Sequence, residues 1–501
     1  MYKVIIPERK SLIRDTTAGL TFAVVNIPQA MANALLAGVN PVLGLYTLMI
    51  GTPLGALFTG AVYMNVSTTS ALSVAAGDAL LNVPSGSKAV SLAALVLMVG
   101  VVQLLAGVFK LGSYMRFVAK SVMVGFVTGV ALLIILGQVS ALTGYNSPFS
   151  GKVLSFADTL LHFRQYNMPT FFIGMLTILV IIGMAYTPLK KFGFIIAIIV
   201  ATLAVQLFNL DSVLLVSSIA TIPDQLFNFS LPTFSAMLGL APSAVAVAII
   251  GLVQGAGITQ TFPNPDGKYA DVSRDFVGQG LSNIGTSFFQ GIPGGGSMSG
   301  TALMVNTGMV SRWGNVLAGL FVIPLVLILS NFIELIPMST LAGLLIVVGY
   351  QSIRPEDINL VWQTGAIPRI GMGLTLIATL TLPLQYAVFV GMAVSILLYV
   401  FRSSNQVRVV QLQLVPNGYP IEIAVPEKLE DNQVVVLNTF GSLFFAAAAT
   451  FEKQLPKVEN AQHAVVIIRL RGRDDVGSTL LAVLERYHVD LKKNNGRLLL
   501  V

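Results

Sequence analysis

From residue 15 to residue 401 the chain runs through long apolar stretches separated by mostly short polar breaks. A helix needs about 20 apolar residues to cross the hydrocarbon layer. Fourteen segments meet or approach that requirement, roughly 16–37, 43–60, 66–83, 90–109, 118–143, 169–186, 192–209, 238–262, 276–291, 298–310, 314–333, 337–351, 367–382 and 384–401. The pattern predicts a polytopic α-helical membrane protein with 14 transmembrane segments. Two of them, 66–83 and 298–310, are short and open on polar residues. Such segments can cross half the bilayer if their non-helical flank is buried in protein. They are also the third members of two sets of seven, and interrupted segments at matching places point to two inverted 7-helix repeats with a site between them.

Past residue 402 the pattern changes. Alternating runs at 408–414, 433–438, 464–470 and 496–501 read as strands, and 446–454 and 477–487 as helices. That alternation predicts a cytosolic α/β domain over 403–501, following a membrane domain over 1–402.

Composition agrees with the membrane assignment: 55% of residues are hydrophobic, 10% are charged, and the mean hydropathy is +0.81. A soluble protein of this size would need a charged surface that is missing here. The net charge of +7 does not point to nucleic acid, because the basic residues sit in short clusters between apolar segments. Counted from a cytosolic N-terminus, fifteen of them from Lys3 to Arg402, among them Arg116, Lys190, Lys191, Arg274 and Arg312, fall on the cytosolic side. Only Lys88, Lys152 and Arg164 fall outside, as the positive-inside rule expects. Both termini are then cytosolic, in a multi-pass protein of the plasma membrane, and no signal peptide is expected. There is no cysteine, and His162, His463 and His488 lie far apart, so neither a metal site nor a cofactor is implied. No nucleophile–base set stands at membrane depth, which argues against an enzyme.

The candidate chemistry lies at the two short segments. One begins Asn65-Val66-Ser67-Thr68-Thr69-Ser70, the other Gly294-Gly295-Gly296-Ser297-Met298-Ser299-Gly300-Thr301. Both read as helix starts, with hydroxyls as caps and glycines permitting non-helical backbone. A helix start offers free N–H groups and partial positive charge, so two facing starts could hold a small anion without any lysine or arginine. Small residues packed for close helix approach are the plainer explanation of either run alone. Gln29, next to Pro28 in the first segment, and Gln254, in the eighth, would project amides into the bundle. Asp78 is the only acid expected within a span, in a boundary role toward the outer end of its segment.

Two stretches resemble one family. Residues 27–46, IPQAMANALLAGVNPVLGLY, are similar to the first-helix signature of the SulP anion permeases with a C-terminal STAS domain, with Asn33 where tyrosine is common. Residues 278–301 resemble that family again, through Gly278-Gln279-Gly280-Leu281-Ser282-Asn283 and the Ser297-Met298-Ser299 start. The resemblance implies core helices 1–4 and 8–11 moving against gate helices 5–7 and 12–14, an anion between helices 3 and 10, and a homodimer. It makes sulfate the first substrate, bicarbonate the second, and chloride or a small dicarboxylate a third choice. A nucleobase permease of the same architecture and an anion channel-like protein are the alternatives. Gln254, Gln260 and Gly300 stand where many members carry an acid and two basic groups, which questions proton or sodium coupling. The region 403–501 resembles the start of a STAS domain, expected to continue through another helix and strand. Gly477-Ser478-Thr479 occupies its helix-start loop without the usual Asp-Ser-Ser-Gly run.

Overall fold

The computed structural model describes residues 9–113, 119–149, 151–189, 192–218, 229–232, 237–413, 415, 418–441, 443, 445–470 and 477–501. Lys3, Arg116, Lys190 and Lys191, four of the basic residues used to orient the chain, lie outside them. The chain divides into two compact units, 1–392 and 393–501.

In the first unit, α1 (Arg9–Leu36) carries Pro28 in its interior, and α2 (Val42–Tyr46) runs through a π-helical turn, Thr47–Gly51, into α3 (Thr52–Phe58). A short strand β1 (Val66–Thr68) then leads into α4 (Ser70–Ala79). The rest of the first half is α5 (Lys88–Val108), α6 (Lys120–Thr143), α7 (Lys152–Leu161), α8 (Met168–Ala185) and α9 (Gly193–Leu207). The second half opens with α10 (Met237–Thr261) and α11 (Val272–Ser287), and a second short strand β2 (Gly294–Gly296) leads into α12 (Met298–Asn306). It ends with α13 (Trp313–Glu334), α14 (Met338–Ser352), α15 (Pro355–Thr364), α16 (Ala366–Thr381) and α17 (Leu384–Asn405). Among these, α1, α5, α6, α8, α10 and α13 are long and apolar enough on their own to cross a membrane.

Each apolar segment of the sequence overlaps helix, the segment 43–60 as α2, the π-helical turn and α3 together, with three corrections. The segment 66–83 is helical only over Ser70–Ala79, because residues 66–68 are drawn into a strand. Two helices were not anticipated. The helix α7 is held to α6 by Ser140, whose hydroxyl lies 3.1 Å from that of Ser155 and 3.0 Å from that of Thr159. The helix α15 is tied to the start of α6 by a 2.8 Å ion pair between Lys120 and Asp357. Both carry charge on a one-sided apolar pattern, which a span-length average of hydropathy washes out. Finally, Asp78 is not the only acid inside a helix. Asp15 in α1 and Asp275 in α11 are fully buried. Burial is tolerable because each carboxylate is saturated: Asp15 accepts from Val310 N, Ser311 N and the Ser311 hydroxyl, and Asp275 from Gly60 N, Ala61 N and the Thr259 hydroxyl.

The second unit is an α/β fold built from β3 (Arg408–Gln413), β4 (Ile421–Ile423), β5 (Val434–Phe440), α18 (Ala448–Glu452), β6 (Val465–Arg469), α19 (Ser478–Lys493) and β7 (Arg497–Leu500). The sheet order is β4-β3-β5-β6-β7, with β5, β6 and β7 mutually parallel and β3 antiparallel to both β4 and β5. Val435, Leu437, Val466 and Ile468 in the central strands bury against Leu480, Val483 and Leu484 of α19. The edge strand β4 was not read from the sequence, since its residues stay largely exposed and show no buried apolar face. Tyr487 on α19 donates its hydroxyl to the Pro456 carbonyl at 2.8 Å, and burial pushes its phenol well above the usual range.

Candidate functional site

The two polar run-ins meet. Strands β1 and β2, from opposite halves of the chain, pair antiparallel, with Val66 opposite Gly296, Ser67 opposite Gly295 and Thr68 opposite Gly294. Being antiparallel, they feed α4 and α12 out of opposite ends of the ladder. Four residues of strand separate the register positions of the caps Thr69 and Ser297, on the order of 13 Å. The two helix starts therefore flank the ladder instead of meeting head to head.

Each start is capped. Thr69 is extended (φ −127°, ψ 143°) and its hydroxyl accepts from Leu72 N, leaving the N–H groups of Ser70 and Ala71 without intrahelical acceptors. Ser297 is likewise extended and accepts from Gly300 N at 3.1 Å, leaving those of Met298 and Ser299. No residue in 66–79 or 294–306 is basic.

The ladder is held on both sides by asparagines of the second half. Asn283 on α11 takes the N–H of Gly294 at 2.7 Å and donates to its carbonyl at 2.8 Å, while also donating to Gln103. Asn315 on α13 donates to the Met64 carbonyl at 3.1 Å and accepts from the Asn65 amide at 2.7 Å. The helix α10 approaches β2 backbone to backbone. A β-carbon placed on Gly296 would stand 2.9 Å from the Gly255 Cα, so only glycine fits there.

Of the candidate residues, Ser67, Thr68, Ser297, Gly300 and Thr301 are buried. Thr301 is part of the frame, its hydroxyl accepting from Asn65 N at 3.0 Å, and the Ser67 hydroxyl is enclosed without a partner among the described residues. Gln29, Thr69, Gln254 and Met298 keep partial access, and Ser299 is exposed. Ser299 lies 3.4 Å from the Ser297 hydroxyl, whereas Met298 packs into a cluster with Val66 and Ile258. The Thr69 hydroxyl donates to Gln254 Oε1 at 3.1 Å, joining α4 to α10. That bond turns the other end of the amide away, and Gln254 Nε2 has no acceptor among the described residues. Gln254 also lines a small pocket whose walls are otherwise mostly apolar, from Val122 and Phe126 on α6, Ile249 and Val253 on α10, Thr375 on α16 and Gly391 on α17. Gln29 makes no hydrogen bond to the other candidates.

One residue was noticed in the sequence without being assigned to the site. Asn33 on α1 donates to the Thr68 hydroxyl at 3.0 Å and accepts from the Ser70 hydroxyl at 2.9 Å, bracketing the run-in to α4. Its signal was available in the sequence as an amide one helical turn past Gln29 in an apolar run, and the structure buries it fully.

The sulfate permease family model matches residues 12–378, and the STAS domain model matches residues 425–501. YvdB of Bacillus subtilis (strain 168), whose name assigns it to sulfate transport, is 28% identical over 97% of this chain and 91% of its own length. The fold is shared with the murine solute carrier 26 family member A9 anion transporter in the inward-facing state, at a TM-score of 0.86 and 20% identity, over 99% of this chain and 86% of that one. It is shared also with the transmembrane domain of a cyanobacterial bicarbonate transporter, BicA, at a TM-score of 0.65 and 20% identity, over 78% of this chain and 98% of that one. The chain thus belongs to the sulfate permease family, a family of polytopic membrane transporters and not of enzymes, and it carries a C-terminal STAS domain.

Proposed function

We propose that this protein is a secondary transporter of small inorganic anions, with sulfate first, bicarbonate second and chloride or a small dicarboxylate behind, and that it works by alternating access. The single observation that carries the reading is the antiparallel ladder of 66–68 with 294–296, which brings two capped helix starts to one place with no basic residue on either. An anion resting between the two ends of the ladder would lie within about 7 Å of both helix starts, each a partial positive charge of about half an elementary charge. Gln254 Nε2, Thr69 and Ser299 would add donors. Sulfate ranks first because YvdB bears that name.

The packing also supports two repeats of seven segments, because its main pairs map onto one another when every segment is shifted by seven. The pair α1–α13 maps to α10–α5, α5–α11 to α13–α3, α4–α10 to α12–α1, and α6–α16 to α14–α8. Within each set the pairs stay in one of two groups, α1–α5 with α10–α13, and α6–α9 with α14–α17, which are the core and gate of this proposal. The cavity beside Gln254 lies between them. The N- and C-termini are placed in the cytosol by the basic residues, the protein in the plasma membrane, and the assembly as a homodimer.

Gln254 cannot exchange a proton, and Asp15 and Asp275 are committed to backbone donors. This supports exchange or facilitated movement without proton coupling through the eighth segment, with coupling at another residue as the alternative. Counterflow in proteoliposomes tests the whole: labelled sulfate is expected to accumulate against internal sulfate or bicarbonate with no imposed proton or sodium gradient, and to be competed by chloride or dicarboxylates. Linear, non-saturating flux would instead mark a channel, and uptake of uracil would mark a nucleobase permease.

A further inference from the structure

The far end of α4 makes a contact that the site itself does not need. Asp78, in the last turn of this half-helix, engages two elements of the other packing group with its two carboxylate oxygens. Oδ1 lies 3.3 Å from Lys152 Nζ at the start of α7, and Oδ2 accepts from the N–H of Leu384, the first residue of α17, at 3.2 Å. The contact is sheltered: the Asp78 side chain is 12% exposed and that of Lys152 25%. Lys152 is also backed by α6, since its Cγ and Cδ lie about 3.5 Å from where a β-carbon on Gly137 would stand. Asp78 stands eight residues beyond Ser70, and helical rise puts it about 12 Å along the same rigid rod.

We propose that Asp78, Lys152 and the first N–H of α17 form a latch that closes the site toward the side bearing Lys88, Lys152 and Arg164. The inference rests on the alternating-access reading. If α4 moves with the core and α6, α7 and α17 with the gate, the ion pair and the backbone bond cannot survive an opening at that face. A carboxylate held by one charged and one backbone donor suits such a part: it holds the closed form by specific bonds, yet water can replace both donors when the face opens. Asp78 is thereby a positioning residue, acting on the anion site through the length of α4 and never touching the anion.

The chain contains no cysteine, so cross-linking needs no background removal. In proteoliposomes, the Asp78→Cys, Lys152→Cys variant bridged by a short bis-methanethiosulfonate is expected to lose at least tenfold in sulfate counterflow, with recovery on reduction. Undiminished counterflow by fully cross-linked protein overturns the latch and leaves the transport reading standing. A second arm keeps both charges and uses the single Leu384→Cys variant, whose side chain is buried in the closed form, with a membrane-impermeant thiol reagent on the Lys152 side. Sulfate supplied on the opposite side is expected to change the labelling rate severalfold, whether or not the double variant folds. A rate indifferent to sulfate overturns the latch. A responsive rate in a protein that moves no anion supports the latch as a conformational device and removes the transport reading instead.

Discussion

The two strand-to-helix passages at the centre of the membrane unit occupy equivalent places in the two halves, yet they are chemically opposite. The first, Val66-Ser67-Thr68-Thr69, is mostly hydroxyl; the second, Gly294-Gly295-Gly296-Ser297, is nearly all backbone. The difference follows from what lies against each. At Gly296 the β2 backbone lies against the bare backbone of α10 at Gly255, too close for a β-carbon, and at Gly295 it faces Gly251 at ordinary contact distance. The β1 hydroxyls and their neighbours receive amides, Asn33 from α1 and Gln254 from α10. One strand therefore sets how closely the elements approach, and the other sets which groups are presented as donors. A site for anions can be built from neutral parts only if both tasks are met.

The sharpest way to break this division is to add one carbon to β2. In Gly296→Ala the new methyl would stand 2.9 Å from the Gly255 Cα and 2.8 Å from Ile258 Cδ1. Overpacking of this kind costs about 1–3 kcal/mol, and here the strain falls on the ladder itself. Labelled sulfate uptake is expected to fall more than tenfold, with a lowered melting temperature. Trimming the neighbour in an added Ile258→Val change should recover only part of the loss, because the Gly255 backbone remains in the way. Full recovery would mean that side-chain crowding, and not backbone approach, is what the glycines serve.

Next in size is Gln254→Glu, which alters the donor strand's partner. A carboxylate beside the anion would repel it, and its protonated form would not. Uptake is expected to be weak at neutral pH and to rise as pH falls, by up to tenfold per pH unit above the pKa of the new acid. The unaltered protein should show no such slope. A pH profile identical in both would remove Gln254 from the neighbourhood of the anion.

How far this was legible in the sequence depends on the kind of feature. The helix starts could be read, because a hydroxyl or glycine run directly before an apolar run has few other meanings in a membrane segment. The ladder could not, because three-residue strands from opposite halves leave no alternating pattern and Ser67 does not announce Gly295 as its partner. Nor did the sequence separate hydroxyls that keep some access, such as Thr69, from ones that hold the frame, such as Thr301. Both are threonines in a polar run, and only the direction of the side chain tells them apart. Asn283 and Asn315 stand out as amides in helices, but an amide does not name its acceptor. The helices α7 and α15 were missed because charge on one face hides a short helix from a hydropathy window. Asp15 and Asp275 were missed because both fall at the margin of an apolar run, where an acid is ordinarily wet.

A third test compares the two caps. Thr69→Val removes a cap and the bond to Gln254 together, each worth about 1 kcal/mol, so KM for sulfate should rise roughly tenfold to thirtyfold. Ser297→Ala removes the cap at its helix start and only a long, 3.4 Å contact with Ser299 besides, and the rise should stay near fivefold. Equal effects would mean that the Thr69–Gln254 bond contributes nothing to anion affinity, and the two passages would be alike after all.

The smallest effect is expected at Ser67, directly across the ladder from Gly295. Its hydroxyl is buried, with 1% of the residue exposed, and it has no partner among the described residues. An enclosed hydroxyl without a partner costs about 1–3 kcal/mol, so removing it should relieve that cost. Ser67→Ala is expected to keep KM within twofold and to hold or slightly raise the melting temperature. The alternative is specific: if the anion is the missing partner of this hydroxyl, KM rises about tenfold and bound sulfate stabilises the variant less than the parent. That result would move the anion inward, from the two helix starts onto the ladder itself beside Ser67.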